Sequence, residues 1–339
     1  MKNILFIRMR LLGDIIFTIP AIQLYKRCFP EHNIYYVAEE KFRGIAELIP
    51  GVKKVIIIPY KMKLKDLLHF RKEIKKIGFF TVVDFHSGPK SALLTFLTGI
   101  KTRIGYRTAN RNWAYNRLTP RILGDNFTHS VFNQAMLLEH TGIDITNNPG
   151  IIPQYPQIKM AEEDIPGELK QALKENTKKI TIHIGAGNEF RDWGFDKFSG
   201  LIQKLKDAGI RIFLTGHTEN EKERGDRLRH LHRVVNFTGR LTIKETLYLI
   251  AHSDVYFGID SGPVHLASLT NTPIVTVYGP NIPEVSGPWR KKDVTIIQTG
   301  LTCRPCSQRK CRYDTIRCMV EVTIEEVFNA IAKYFKKTV

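Results

Sequence analysis

The chain has 339 residues and carries 51 Lys+Arg against 33 Asp+Glu, a formal net charge of +18. Its length points to two domains, because single cores stop growing near ~250–300 residues, and a composition 43% hydrophobic and 25% charged excludes a disordered or fibrous chain. No run approaches the ~18–20 apolar residues that span a bilayer, and the opening Ile4-Leu5-Phe6-Ile7 meets Arg8 too soon to be the core of a signal peptide, so a cytoplasmic protein is expected.

Short β-rich apolar runs alternate with amphipathic helical stretches. In chain order, strands are predicted at Ile4–Ile7, Ile34–Val37, Val55–Ile58 and Thr81–Phe85, then at Ile180–Ile184, Ile210–Leu214, Asp254–Gly258 and Ile274–Tyr278. Helices are predicted at Ile15–Phe29, Leu64–Ile77, Phe198–Lys206, Ile243–His252 and Val264–Leu269. In Leu64–Ile77, residues Leu64, Leu67, Leu68, Ile74 and Ile77 recur at helical spacing. Near-continuous apolar strands separated by helices indicate parallel sheets covered on both faces. The pattern occurs once before residue 150 and again after 179. We therefore expect an α/β fold of two Rossmann-like, doubly wound domains facing across a cleft. The boundaries follow the composition: a first domain at 1–155, a linker at 156–178 after the turn-rich Asn147–Pro156, a second domain at 179–321, and a C-terminal helical segment at 322–339. The stripe Val327, Ile331 and Phe335 makes that last helix a candidate to pack back on the first domain.

Three loops carry polar chemistry. Arg8-Met9-Arg10-Leu11-Leu12-Gly13-Asp14 follows the first strand; Gly13 allows a tight turn, and Asp14 is either a helix N-cap or a general base at a strand's carboxyl end. It lacks G-x-G-x-x-G, which argues against dinucleotide binding in the first domain. In the second domain, His183-Ile184-Gly185-Ala186-Gly187 runs from a strand into a small-residue turn that lets backbone N–H groups approach a phosphate, and Arg191 can add a charge-assisted contact. The third loop, Asp260-Ser261-Gly262-Pro263-Val264-His265, puts Pro near the first helical position after a strand, a helix N-terminus suited to an anion and supplemented by the Ser261 hydroxyl. Asp260 beside an anion would orient the loop or contact a sugar. His265 is either a packed core histidine or a diphosphate donor.

Together these residues resemble the lipopolysaccharide heptosyltransferases, glycosyltransferase family 9, over almost the whole chain and closer to the heptosyltransferase II branch. Leu12-Gly13-Asp14 with Thr18 and Pro20 is similar to the family's entry signature. Asp84-Phe85-His86-Ser87-Gly88 with Lys90-Ser91, then Arg103-Ile104-Gly105-Tyr106, resembles its acceptor side. His183 through Trp193, and Asp260 through Ala267 followed by Pro273 and Tyr278-Gly279-Pro280, resemble its donor side. The resemblance implies a GT-B architecture and inverting transfer of a sugar from a nucleotide sugar, typically ADP-heptose, with no cofactor or metal required. It implies Asp14 as catalytic base. Gly185, Ala186, Arg191, Glu219, Asp260, Ser261, Gly262 and His265 would form the donor site, Glu219 by an approximate match in Gly216-His217-Thr218-Glu219. Gly13, Arg103 and Arg107 would lie on the acceptor side. The implied acceptor is the anionic Kdo-lipid A core at the cytoplasmic face of the inner membrane.

Charge distribution agrees with an anionic partner: residues 1–155 hold 23 basic and 11 acidic side chains, residues 156–339 hold 28 and 22. Such a field attracts polyanions, although a basic surface can also serve solubility alone. No nucleic-acid motif is present, and nucleic acid is not an expected partner. Lys61, Lys63, Lys65, Arg71, Lys72, Lys75 and Lys76 cluster around one helix, which predicts peripheral membrane association. Four of five cysteines cluster as Cys303-x2-Cys306-x4-Cys311-x6-Cys318; the first pair has zinc spacing and the second half does not, so the alternatives are structural zinc, reduced packed thiols and facultative disulfides. The functional alternatives are a family member using another nucleotide sugar or acceptor, a nucleotide-sugar epimerase on the same fold, and a polyanion-binding protein without turnover.

Overall fold

A computed structural model describes residues 2–122, 128–158, 160–290 and 292–336. The chain divides into two compact units, Met1–Pro156 and Gln157–Val339. Each contains a six-stranded, all-parallel sheet. In the first unit β1 (Asn3–Ile7), β2 (Asn33–Glu39), β3 (Val52–Ile58), β4 (Thr81–Asp84), β5 (Thr102–Tyr106) and β6 (Arg117–Thr119) take the order β3-β2-β1-β4-β5-β6. In the second, β7 (Lys179–His183), β8 (Arg211–Thr215), β9 (Val234–Asn236), β10 (Val255–Ile259), β11 (Ile274–Val277) and β12 (Val294–Ile297) take the order β12-β11-β10-β7-β8-β9. Both are the doubly wound arrangement, and the order reverses between β1 and β4 and between β7 and β10. Ligands of such sheets bind at the carboxyl ends of the strands at these switch points.

Burial on both faces explains the continuous apolar strands. In β1, Leu5 and Ile7 pack with Phe70 and Ile74 of the helix Leu64–Ile77, while Phe6 turns the other way, 5.4 Å from Tyr25 and 5.3 Å from Phe85 between ring centroids. In the second unit Ile180, Ile182, Ile212 and Leu214 share a core with the helix Phe195–Asp207, and Phe213 points to the opposite face with Tyr248 and Leu249.

All eight predicted strands form. The four that sequence patterning did not single out are β5, β6, β9 and β12; three are edge strands, and β6 and β9 are only three residues long, so they lack a sustained apolar run. The predicted helix Ile15–Phe29 forms as Leu12–Phe17 and Ile19–Cys28, divided at Thr18, whose hydroxyl donates to Ile15 O at 2.7 Å. In Leu64–Ile77, Ile74 is buried as the spacing suggests, but Leu64 and Leu68 are 73% and 58% exposed.

Two boundaries change. Residues 157–178, expected as part of a linker, belong to the second unit: Ile165 and Leu169, the latter on the helix Gly167–Leu173, are buried with Phe213, Phe237, Tyr248 and Leu249 and cover one face of its sheet. The C-terminal helix, Ile324–Lys336, belongs to the second unit and packs on that unit's own sheet. Val327, Ile331 and Phe335 are buried with Phe198 and Val275, and the Trp193 indole N–H donates to Val322 O at 3.1 Å. Residues 337–339 of that segment lie outside the described residues.

Deleting a fully buried side chain from this helix should therefore act as a core mutation. Ile331→Ala should cost about 2–5 kcal/mol in denaturant unfolding, whereas the exposed Leu64→Ala should stay within about 0.5 kcal/mol of the parent. An Ile331→Ala cost below about 1 kcal/mol would contradict the placement.

Candidate active site

In the first unit, β1 and β4 deliver their loops side by side. Leu11 adopts a left-handed backbone, φ 67°, which a non-glycine residue rarely takes. This turn, rather than one at Gly13, aims the short helix Leu12–Phe17 and places Asp14 in its first turn. Asp14 is not an N-cap. Its carboxylate pairs with the buried Arg8 guanidinium and keeps 29% of its side chain exposed. Arg8 in turn donates from Nη1 to Phe85 O at 2.9 Å, tying the β1 loop to the β4 exit.

That β4 exit is held by a fully buried Asp84. Its Oδ1 accepts from the His86 and Ser87 N–H groups at 2.8 and 3.0 Å, and its Oδ2 accepts from Tyr115 Oη at 2.7 Å. Burial pushes the Asp84 carboxyl up, against these hydrogen bonds. Gly88 leaves the space that His86 fills, since a Cβ there would lie 2.9 Å from the imidazole. Burial, then the charges of Arg8, Arg10, Arg121 and Arg111, push His86 down to about 4. The imidazole is therefore neutral near pH 7 inside a cationic field, and its buried Nδ1 has no hydrogen-bond partner among the described residues. Arg111 donates to Ser87 O at 2.8 Å, and the Arg121 guanidinium stacks 4.5 Å over the Tyr106 ring.

In the second unit, the β7 exit is clamped along its length. His183 Nε2 lies 3.4 Å from Glu221 Oε1. The other Glu221 oxygen accepts from the His217 and Thr218 N–H groups at 2.6 and 2.8 Å. Burial alone would raise the Glu221 carboxyl; the contact with His183 and these N–H groups outweigh it and hold the acid at about 2. Gly185 is required by this acid, because a Cβ there would lie 2.5 Å from it. Asp192 is held low, against burial, by a two-point pair with Arg224.

The β10 exit meets the same region. Asp260 is 3% exposed, and Arg191 Nη1 lies 3.5 Å from its carboxylate. Asn281 Nδ2 donates to the same carboxylate at 2.6 Å. Burial raises the Asp260 carboxyl, opposed by Arg191 and Asn281. Arg191 Nε donates at 2.8 Å to Oε1 of Gln308. Ser261 N-caps the short helix Gly262–Ala267, its hydroxyl donating to Ile259 O at 2.9 Å, and His265 is buried one turn in.

The sequence profile of glycosyltransferase family 9 (heptosyltransferase) matches residues 67–317. The chain belongs to this family. It is 25% identical over 320 residues to lipopolysaccharide heptosyltransferase 1 of Campylobacter coli, covering 88% of this chain and 90% of that one. Among solved structures it superposes on E. coli ADP-heptose lps heptosyltransferase II with TM-score 0.82 at 20% identity, covering 100% and 99% of the two chains. It also superposes on E. coli heptosyltransferase WaaC with ADP-2-deoxy-2-fluoro heptose, with TM-score 0.71 at 20% identity over 99% and 100%. The fold is GT-B, and the protein is a glycosyltransferase of family 9, the heptosyltransferase family.

Within that family's frame, Asp14 and Gly13 lie at the first switch point, and Gly185, Ala186, Arg191, Asp260, Ser261, Gly262 and His265 lie on the loops of the second. Others fall elsewhere. Glu219 is 90% exposed and pairs with Lys222, while Glu221, two residues on, is the buried acid of that loop. The capping box Thr218-x-x-Glu221 marks Glu221 as the helix-start acid and was a readable signal. Arg103 sits at the start of β5, where it donates to Ala114 O and Ile100 O, 2.8 and 2.9 Å away; strand polarity puts it at the end of the sheet away from the switch point. Arg107 follows β5 and is exposed at the carboxyl end. Arg8 and His86 stand in segments that the sequence singles out, but their individual roles are not readable there, and Arg121 and Gln308 carry no sequence signal. Cys303, Cys306, Cys311 and Cys318 line one cavity of about 540 Å³. Among the described residues, no three His, Cys, Asp or Glu side chains form a group able to hold a metal. Cys311 Sγ donates to Thr315 O, and burial pushes the Cys318 thiol up to about 11.

Because the Glu221 carboxyl is lower in the folded chain than its ordinary value of 4.5, it contributes stability that is present above pH 4.5 and lost as pH falls toward 2. Urea unfolding of wild type and Glu221→Gln across pH 2–6 should show the gap between them narrowing by up to about 3 kcal/mol through that window. A gap independent of pH would contradict the assignment.

Proposed function

We propose that the chain transfers a heptose from ADP-heptose to a hydroxyl of the lipopolysaccharide inner core, by an inverting displacement that needs no metal. The observation that carries this reading is Asp14: a partly exposed carboxylate at the carboxyl end of β1, held by Arg8 at a switch point where binding alone would favour only cations. An alcohol is a weak nucleophile, and a carboxylate that takes its proton as the glycosidic bond forms lowers the barrier by a factor of ~10²–10⁴. On the other side of the reacting carbon the ADP diphosphate leaves with a growing negative charge. Arg191 and the N–H groups at the start of Gly262–Ala267 would stabilise that charge where it develops, the role a divalent metal plays in other transferases. Attack and departure on opposite faces of the sugar invert the anomeric centre. The relative solved with an ADP-fluoroheptose supports the choice of nucleotide sugar.

For the acceptor, the exposed Arg10, Arg107 and Arg121 with the partly buried Arg111 would meet the anionic Kdo-lipid A core beside the neutral His86. Among the described residues no helix is long and apolar enough to cross a membrane. The helix Leu64–Ile77 instead presents exposed Leu64 and Leu68, next to Tyr60, among its lysines. An apolar tip ringed by cations suits an anionic bilayer surface, where each cation adds about 1 kcal/mol. We assign the protein to the cytoplasmic face of the inner membrane, held peripherally.

Asp14→Asn should abolish heptose transfer, by at least about 10²-fold, while leaving ADP affinity within about twofold in calorimetry; lost ADP binding with normal residual turnover would contradict the base assignment. The protein should sediment with vesicles containing anionic lipid at low salt and be released at about 0.5 M salt, where the Debye length falls below ~5 Å. Failure to sediment even at low salt would contradict the membrane assignment.

A further inference from the structure

The cysteine-containing loop, from Leu301 to Cys318, has a use that none of its thiols explains. It carries Gln308, and the amide of Gln308 is the hub of the hydrogen bonds that set Arg191 and Asp260. Gln308 Oε1 accepts from Arg191 Nε at 2.8 Å and from Asn188 Nδ2 at 3.1 Å, while its Nε2 donates to Asn281 Oδ1 at 2.6 Å. Asn281 Nδ2 passes the chain on to Asp260 at 2.6 Å, and Asp260 closes the ring on Arg191. One amide thus uses its acceptor on the cation and its donor on the partner of the acid. An unsupported arginine samples many rotamers; fixing Nε leaves the Nη groups aimed in one direction and lowers the entropy lost when an anion binds.

Two further observations show that this placement is built. The loop is stitched to the β11 exit, with Cys306 N donating to Pro280 O at 3.2 Å and Arg304 Nη1 reaching Gly279 O at 3.4 Å. Gln308 itself is held in the left-handed region, φ 55°, a conformation that costs a non-glycine residue of order 1 kcal/mol or more and that the surroundings must enforce. Glycine or asparagine would suit that backbone better. The residue present is the one whose amide reaches Arg191.

We infer that Gln308 is a positioning residue of the donor site, orienting Arg191 and, through Asn281, Asp260 toward the diphosphate of the nucleotide sugar. The inference rests on the nucleotide-sugar reading given above, and it gives the loop the role of holding this amide in place.

The test is Gln308→Gly in the full-length protein, which removes the amide while suiting the left-handed backbone, so melting temperature should hold or rise. ADP affinity measured by calorimetry should fall about tenfold, and KM for the nucleotide sugar should rise by a similar factor with KM for the acceptor unchanged. In an Arg191→Met background Gln308→Gly should add less than twofold, because the two act as a unit. ADP affinity unchanged in Gln308→Gly, or losses that multiply in the double variant, would overturn the role of Gln308 while leaving the donor reading intact. A wild-type chain that does not bind ADP would overturn both.

Discussion

Everything at the candidate site depends on strand order. In each sheet the chain winds outward in one direction, returns to the middle and winds outward in the other, so two loops distant in sequence emerge side by side at the carboxyl ends of adjacent strands. In the first unit this brings the loop after Ile7 next to the loop after Asp84, and in the second the loop after His183 next to the loop after Ile259. Parallel pairing requires helices on both faces of the sheet, and those helices bury the strands. The only exits available for polar chemistry are the strand ends.

At both places the polar residues are fixed by buried charge rather than left mobile. Arg8 spans Asp14 and the Phe85 carbonyl; Glu221 spans His183 and two N–H groups; Asp260 lies between Arg191 and Asn281. A buried ion pair adds little net stability, since desolvation offsets much of its attraction, but losing one partner strands the other. The gain is orientation. A site that must stabilise charge as it develops benefits from donors and carboxylates already aimed, because no reorganisation remains for the reaction step.

Much of this was legible in the amino-acid pattern. The alternation of Ile4–Ile7 with amphipathic helices reveals the sheets, and Asp14, Arg191 and Asp260 stand at strand exits that the pattern locates. What escaped depended on side-chain direction and long-range contact. Glu219 and Glu221 differ by two residues, which on a helix is more than half a turn, so they face different ways; the capping box points to Glu221, but its contact with His183 is visible only in the fold. Arg103 and Arg107 flank one strand, and only strand polarity puts one at the far end. Residues 157–178 look like a linker because Ile165 and Leu169 are isolated in a polar stretch; they become core once Phe213 and Tyr248 need covering. The cysteine spacing suggested a metal, yet the loop's polar partner is an amide that no spacing rule would single out. Gln308 becomes visible only when Asn188, Arg191 and Asn281 are seen to meet on it.

The claim that the second unit's switch point receives the nucleotide sugar is tested most directly by hydrogen–deuterium exchange of the full chain with and without ADP. Exchange should slow in the loops 184–193 and 260–265 and in the Gln308 loop, with segments 9–14 and 85–88 of the first unit unchanged. Protection confined to those first-unit segments, or absent from the β7 and β10 exits, would contradict it.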